Sequence, residues 1–191
     1  MIIVTGAKGQ LGGDVCDLLS KQNSEYMGID IADLDITNEK AVEDFFENTK
    51  ANVDIKMVDQ LEKVYPLAKE YNVEDKIFYT GVKDEFVEPV KTKSPEISYF
   101  LNVKVSKIKK KNKNYLLSLV EKVKKAGAMG INFNYKSASK ELVETLHENG
   151  LLVSIWTVDD ENNMYKILSF GPDNITTRHP DKLSAIVSQK N

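Results

Sequence analysis

Leu151-Leu152-Val153-Ser154-Ile155-Trp156-Thr157 decides how this chain is read. The run is apolar and β-rich, and it reads as a strand. A stretch with helical spacing, Ser139 to Asn149, comes before it, capped by Ser137 or Ser139 and stopped by Gly150. Asp160 to Phe170 follows as a helix stopped by Gly171. Asn174 to Thr177 is then a strand, and Pro180 opens a terminal helix through Ile186.

The same alternation extends toward the N-terminus. Met129 to Phe133, Ile97 to Val103, Lys76 to Thr80 and Val53-Asp54-Ile55-Lys56 read as strands. Tyr115 to Ala126 reads as a helix with Leu116, Leu117, Leu119, Val120 and Val123 on its buried side, and Asp84 to Val90 as a short helix. Another helix carries Leu61, Val64, Leu67 and Ala68. Ahead of these lie a strand at Ile2-Ile3-Val4, helical spacing over Leu11 to Leu19, and a strand at Tyr26 to Asp30. Ala41, Val42, Phe45 and Phe46 then recur at helical intervals after a cap at Thr37 or Asn38. The total is eight strands, each followed by a helix. Alternating βα units call for a parallel sheet with right-handed crossovers, and eight of them close a (β/α)8 barrel. The expected fold class is α/β, a TIM-like (β/α)8 barrel in a single domain; the alternative is an open doubly wound parallel sheet. At 191 residues the chain falls just below the usual ~200 for that barrel, so its helices and loops must be short.

Composition narrows the function classes. The chain is globular, with 41% hydrophobic and 29% charged residues. No apolar run approaches the ~20 residues of a membrane span, and no basic-then-apolar leader opens the sequence. Cys16 is the only cysteine, which excludes an internal disulfide and a cysteine-rich metal site. The expectation is a cytoplasmic protein with one inert, buried thiol. Net charge is −3, which argues against a nucleic-acid binder. Lys104 to Lys125 holds nine lysines and one glutamate. That run is either a solvated helix face with its loop or a patch that attracts phosphates or anionic lipid heads, and the solvated face is the favoured reading.

Thr5-Gly6-Ala7-Lys8-Gly9-Gln10-Leu11-Gly12 follows the first strand and opens the first helix. Glycines there permit a tight turn, and a helix N-terminus offers free N–H groups to a phosphate. Asp30 ends the second strand, where a carboxylate can accept from a ribose hydroxyl. The candidate nucleotide-binding residues are therefore Gly6, Lys8, Gly9, Gln10, Leu11, Gly12 and Asp30, and the expected cofactor is NAD(P) or a simple phosphate. Together with Leu34-Asp35-Ile36-Thr37, this segment resembles the start of the dTDP-4-dehydrorhamnose reductases, extended short-chain dehydrogenases that use NAD(P)H. The resemblance covers residues 1–52 and implies that Asp35 lies near the adenine. That family also uses a Tyr-x-x-x-Lys pair. Tyr65 and Lys69 have the spacing, but they come too early in the chain, with Pro66 at the helix start, and are read as coincidence.

From Val53 onward the chain resembles a different family, the glycerophosphodiester phosphodiesterases, metal-dependent (β/α)8 barrels. Ile155-Trp156-Thr157-Val158-Asp159-Asp160, Asn174-Ile175-Thr176-Thr177-Arg178-His179-Pro180-Asp181 and Gly130-Ile131-Asn132-Phe133-Asn134-Tyr135 carry the likeness. It implies that Asp54 binds the metal, that Lys56 meets the phosphate, and that Trp156 lies near the substrate. By its residues alone, Trp156 is either a pocket wall or a core aromatic. The family's first two βα units supply a His-Arg-Gly, a Glu-x-Asp pair and a second histidine. None of these precedes Val53, and the chain's two histidines are His147 and His179. His147 reads as a helix-end histidine. His179 is a weak catalytic candidate whose neighbour Pro180 favours a turn role. A lone Asp54 is a poor site for Mg2+ or Ca2+.

The expectation is thus a fold chimera, engineered or recombined, with βα units of the reductase type over residues 1–52 and six barrel units over 53–191. It would lack a complete active site and retain weak binding of a small phosphate-bearing ligand. The alternatives are residual phosphodiester hydrolysis through Asp54, Lys56 and His179, and an NAD(P)-binding module without chemistry.

Overall fold

The computed structural model describes residues 2–5, 16–17, 19–21, 26–29, 40 and 50–188. The chain divides into two compact units, Met1–Lys50 and Ala51–Asn191. In the first, β1 (Ile2–Thr5) pairs in parallel with β2 (Tyr26–Ile29), Ile2 opposite Tyr26 and Thr5 opposite Ile29. Parallel neighbours need a crossover between them, and the described residues 16–17 and 19–21 within that crossover are helical. Cys16 is only partly buried, so the expectation of a fully buried thiol is corrected.

The second unit is a six-stranded, all-parallel sheet curled into a half-barrel. Its strands are β3 (Ala51–Asp54), β4 (Ile77–Val82), β5 (Ser98–Asn102), β6 (Gly130–Asn134), β7 (Leu152–Trp156) and β8 (Asn174–Ile175), neighbours in chain order. Its helices are α1 (Leu61–Glu70), α2 (Val87–Lys93), α3 (Lys113–Ala126), α4 (Lys140–Glu148), α5 (Glu161–Leu168) and α6 (Pro180–Ser188). The α/β class and the βα alternation read from sequence are observed. β1 and β2 form a two-stranded sheet in the first unit.

Local chemistry sets the helix ends. Asn112 accepts from the Tyr115 N–H at 3.0 Å and Ser139 from the Leu142 N–H at 3.2 Å. The Asp160 carboxylate does the same for the Asn163 N–H at 3.0 Å, so α3, α4 and α5 each begin on a side-chain cap. Two helix readings are corrected. Pro66 lies inside α1 rather than at its start, and having no N–H it gives nothing to the Glu62 carbonyl. Leu117 on α3 is exposed rather than buried, and Leu67 on α1 is exposed too.

The two faces of the sheet differ in chemistry. In a parallel ladder, residues opposite each other share a face, and successive residues along a strand alternate. Val53, Tyr79, Leu101, Ile131, Phe133, Val153 and Ile155 therefore point one way; Val53 packs against the apolar core and the other six belong to it. Leu61, Leu116, Val120, Leu142, Leu146, Met164 and Ile167 of the helices complete that core. Asp54 opposite Thr80, Asn102 opposite Asn132, Asn132 opposite Ser154, Ser154 opposite Asn174 and Asn134 opposite Trp156 form the other face. Phe78, Phe100 and Leu152 add apolar side chains to that otherwise polar face, and the rings of Phe78 and Phe100 meet edge to face at 5.7 Å between centroids.

Gly81 lets β4 irregularly join its neighbours. The register shifts between Tyr79 and Val82, and Gly81 adopts φ +74°. A Cβ there would collide with the Asp54 carboxylate and the Ile55 backbone.

Candidate functional site

Strand ends carry the candidate site. Asp54 closes β3 and pairs with Lys56, two residues on. Trp156 closes β7, on the polar face and level with Asn134 of β6. One strand position earlier, the face is tied together by pairs of side chains. Thr80 Oγ1 donates to Asn52 Oδ1 at 2.8 Å, Asn132 Nδ2 to Asn102 Oδ1 at 2.6 Å, and Asn174 Nδ2 to Ser154 Oγ at 2.8 Å. Thr80, Asn132 and Ser154 are buried, so these bonds satisfy groups that would otherwise be costly to hold there.

Among the described residues, two buried side-chain atoms are left without a partner, and both are on this face: Asn132 Oδ1 and Trp156 Nε1. One is an acceptor and the other a donor. An unsatisfied buried polar atom costs about 1–3 kcal/mol, so Asn132 Oδ1 and Trp156 Nε1 are the two described groups with a polar contact still to make.

The loop after β7 is fastened to the loop after β8. Asp159 accepts from the Arg178 backbone N–H at 2.9 Å and from its guanidinium Nη1 at 2.7 Å. Thr177 Oγ1 accepts the His179 backbone N–H at 3.0 Å, which places His179 in a turn, exposed. His147 is elsewhere. It sits at the C-terminal end of α4, with Nε2 2.8 Å from Asp173, which precedes β8. That places it at the opposite end of the strands from Trp156.

Tyr65 and Lys69 do not act as a pair. The Lys69 ammonium is held by Glu74 at 2.8 Å and Glu96 at 2.6 Å, which raises its pKa far above the usual lysine range. The Gly turn (Gly6, Lys8, Gly9, Gln10, Leu11 and Gly12), together with Asp30 and Asp35, lies outside the described residues. Of the sequence candidates, the structure brings Asp54, Lys56 and Trp156 to the same end of the half-barrel, with His179 in the turn after β8.

A divalent cation fits this set poorly. No group of three or more His, Cys, Asp or Glu side chains capable of holding a metal occurs among the described residues. Asp54 is engaged by an ammonium group, and its neighbours on the face are amides and hydroxyls bonded to one another.

The sequence model of the glycerophosphoryl diester phosphodiesterase family matches residues 22–182, and the chain belongs to that family. The match starts upstream of Val53, so the family signal crosses the joint expected between Asn52 and Val53. A glycerophosphodiester phosphodiesterase from Caldanaerobacter subterraneus subsp. tengcongensis is 28% identical over 129 residues. That alignment covers 66% of this chain and 48% of the relative, so the chain spans about half the length of the curated protein it matches. Among solved structures, a glycerophosphodiester phosphodiesterase from Parabacteroides distasonis superimposes with a TM-score of 0.56 at 16% identity, covering 79% of this chain and 62% of that one. An Oleispira antarctica phosphodiesterase in complex with the product sn-glycerol-3-phosphate gives a TM-score of 0.55 at 15% identity, covering 78% and 58%. Likeness at that identity shows the shared fold. No helix of the described residues is long and apolar enough to cross a membrane.

Sequence reasoning missed Asn52, Thr80, Asn102, Ser154 and Asn174. The available signal was a polar residue at alternate positions of otherwise apolar strands, as in Leu152-Val153-Ser154-Ile155-Trp156.

Proposed function

We propose that this chain binds a phosphate-bearing glycerol ligand at the strand ends of its half-barrel and does not hydrolyse it. The observation that carries the proposal is the pair of unpartnered buried atoms, Asn132 Oδ1 and Trp156 Nε1, on the polar face of the sheet, whose β3 end carries Asp54 and Lys56. Asn132 Oδ1 would accept from a ligand hydroxyl, Trp156 Nε1 would donate to a ligand oxygen, and the Lys56 ammonium would face the phosphate. The product sn-glycerol-3-phosphate bound to the Oleispira relative supports this choice of ligand. Hydrolysis of a phosphodiester needs groups that hold and pass a proton near neutral pH. Here no histidine precedes His147 in sequence, and His179 sits exposed in a turn.

Trp156 is the only tryptophan, so its fluorescence reports this site directly. Titration with sn-glycerol 3-phosphate is expected to change that emission, and Asn132→Leu to weaken the response about tenfold, the size of one hydrogen bond to a charged or strongly polar group. Incubation with glycerophosphocholine is expected to release no choline. Release that Asp54→Asn abolishes would instead establish residual hydrolysis through Asp54, Lys56 and His179.

A second reading concerns the first unit. The parallel β1–β2 pair with a helical crossover supports a dinucleotide-type βαβ start, and the reductase-like motifs support NAD(P) at the Gly turn. The division at Lys50 and Ala51 supports a recombined chain, whereas the family match from residue 22 weighs against that boundary. Tight NADPH binding that Gly9→Val removes would establish the nucleotide site.

A further inference from the structure

A cavity of about 260 Å3 opens where the loop after β5, the loop after β6 and α5 meet. Lys107, Lys110, Lys136 and Lys166 line it, and no aspartate or glutamate does. Acidic residues are not scarce nearby; they are engaged elsewhere. Glu141 holds Lys111 at 2.7 Å, Asp84 holds Lys122 at 2.7 Å, and Glu161 and Glu144 hold Lys182 and Lys140, each at 3.4 Å. None of the four cavity lysines makes an ion pair with a described residue. The basic run read from sequence supplies only Lys107 and Lys110. The fold adds Lys136 from the next loop and Lys166 from α5.

The wall is fastened on two sides. Ser137 Oγ donates to the Val105 carbonyl at 2.9 Å and Ser139 Oγ to the Lys110 carbonyl at 3.0 Å, which stitches the two loops together. Lys110 is half-buried, and its ammonium donates to the Ala138 carbonyl at 2.9 Å. The Lys136 ammonium lies 5.9 Å from the centre of the Tyr135 ring. Four ammonium groups around one small cavity repel each other, and a bound anion relieves that repulsion. The volume lies just under the ~300 Å3 at which sites for small molecules begin, which suits one phosphate group with a short organic stub rather than a polymer.

We propose that this cavity is an anion site for a phosphomonoester, distinct from the strand-end site of Asp54 and Trp156. A phosphomonoester dianion offers three terminal oxygens, which suits several lysine donors better than a singly charged diester or a carboxylate. Its source is either a free phosphomonoester or the phosphomonoester headgroup of a lipid.

The test uses the whole chain and its Lys136→Gln/Lys166→Gln double variant, whose altered side chains are both exposed. Calorimetric titration with inorganic phosphate is expected to show binding that the double variant weakens by about tenfold per lysine, as for one charge-assisted hydrogen bond each. Lys122→Gln, outside the cavity, is expected to bind as the parent does. Glycerol phosphate is expected to fill two sites in the parent, one lost in Trp156→Ala and the other in the double variant. Failure at the strand end therefore leaves the cavity result standing, and the reverse. Co-sedimentation with phosphatidylcholine vesicles, with and without phosphatidic acid, separates the sources. Lysine-dependent capture by the phosphatidic acid vesicles assigns a lipid headgroup, and binding of soluble phosphate alone assigns a free phosphomonoester. Equal phosphate affinity in parent and double variant, or no phosphate binding by the parent, overturns the proposal.

Discussion

The two faces of the six-stranded sheet are made from the same strands, and they are held by different forces. Toward the helices stand Tyr79, Leu101, Ile131, Phe133, Val153 and Ile155, all buried. Apolar contact there is non-directional and scales with area removed from water. On the other face, Asn52–Thr80, Asn102–Asn132 and Ser154–Asn174 are directional bonds between neighbouring strands. Hydrogen bonds of this kind add about 0.5–1.5 kcal/mol each net of solvent, far less than a buried aromatic ring. The helix face therefore carries the stability, and the polar face fixes the positions of groups at the strand ends.

The sharpest way to break this division is at Phe133 and its strand neighbour Asn132. Phe133→Ala removes a fully buried ring and is expected to cost about 3–5 kcal/mol by urea unfolding. Asn132→Leu changes the opposite face of the same strand. It is expected to cost less, about 1–3 kcal/mol, because it strands the part-buried Asn102 Oδ1 acceptor while also removing the unpartnered Asn132 Oδ1. Equal losses at the two positions would show that both faces bear load alike.

Gly81 links the two faces. Its left-handed φ and the adjacency of the Asp54 carboxylate and Ile55 backbone leave no room for a Cβ. Gly81→Ala is expected to destabilise by about 1–3 kcal/mol through backbone strain, and to displace Asp54 and Lys56 as well. The measurement is a paired one: the urea midpoint and the Trp156 fluorescence response to glycerol phosphate, both falling. A stable variant with unchanged ligand response would mean that β4 accommodates the substitution without moving β3.

On the polar face the expected effects diverge in sign. Ser154→Ala leaves Asn174 Nδ2 without its acceptor and is expected to cost about 1–3 kcal/mol. Trp156→Phe removes a buried donor that already lacks a partner, so unfolding stability is expected to hold or rise slightly while ligand affinity falls. Calorimetric affinity measured beside thermal unfolding separates the two. A Trp156→Phe chain that loses stability and keeps its affinity would make Trp156 a packing residue.

The division also explains what was legible in the sequence. The helix face was readable because its signals are local: apolar runs bounded by Gly150 and Gly171, and a serine cap that the structure assigns to Ser139 of the two candidates Ser137 and Ser139. Where a local signal was ambiguous, the reading slipped. By its residue type Pro66 reads as a helix start, yet it lies inside α1, which buries Leu61 and Ala68 on either side of it. Leu117 follows the apolar pattern of α3 and is still exposed, because α3 buries the stripe through Leu116, Leu119, Val120 and Val123. That Trp156 lies in a strand was legible, because the apolar, β-rich run from Leu151 carries it. The amide pairs were not. Asn102 and Asn132 are 30 residues apart in sequence, and only the register that sets them opposite each other makes them partners. A slip of one residue would send both to the helix face.

The smallest expected effect tests the comparison from outside the sheet. The polar face is tied by amides and hydroxyls, which do not titrate in the acid range, so acid sensitivity must come from the exposed ion pairs. Lys111 holds the Glu141 carboxyl down to about 2, and Lys93 and Lys69 lower Glu62 and Glu74. For a carboxylate whose folded pKa lies below its unfolded value near 4.5, the stabilisation is fully present above that value. It is lost as pH falls toward the folded pKa. The melting temperature is therefore expected to decline gently from about pH 5 downward. Glu141→Gln is expected to start lower at neutral pH and to decline less steeply. Because these pairs are exposed, added salt should shrink the whole effect. A steep, salt-insensitive collapse that Glu141→Gln leaves unchanged would show that the exposed ion pairs do not carry the acid sensitivity, and would break the division of labour drawn between the two faces.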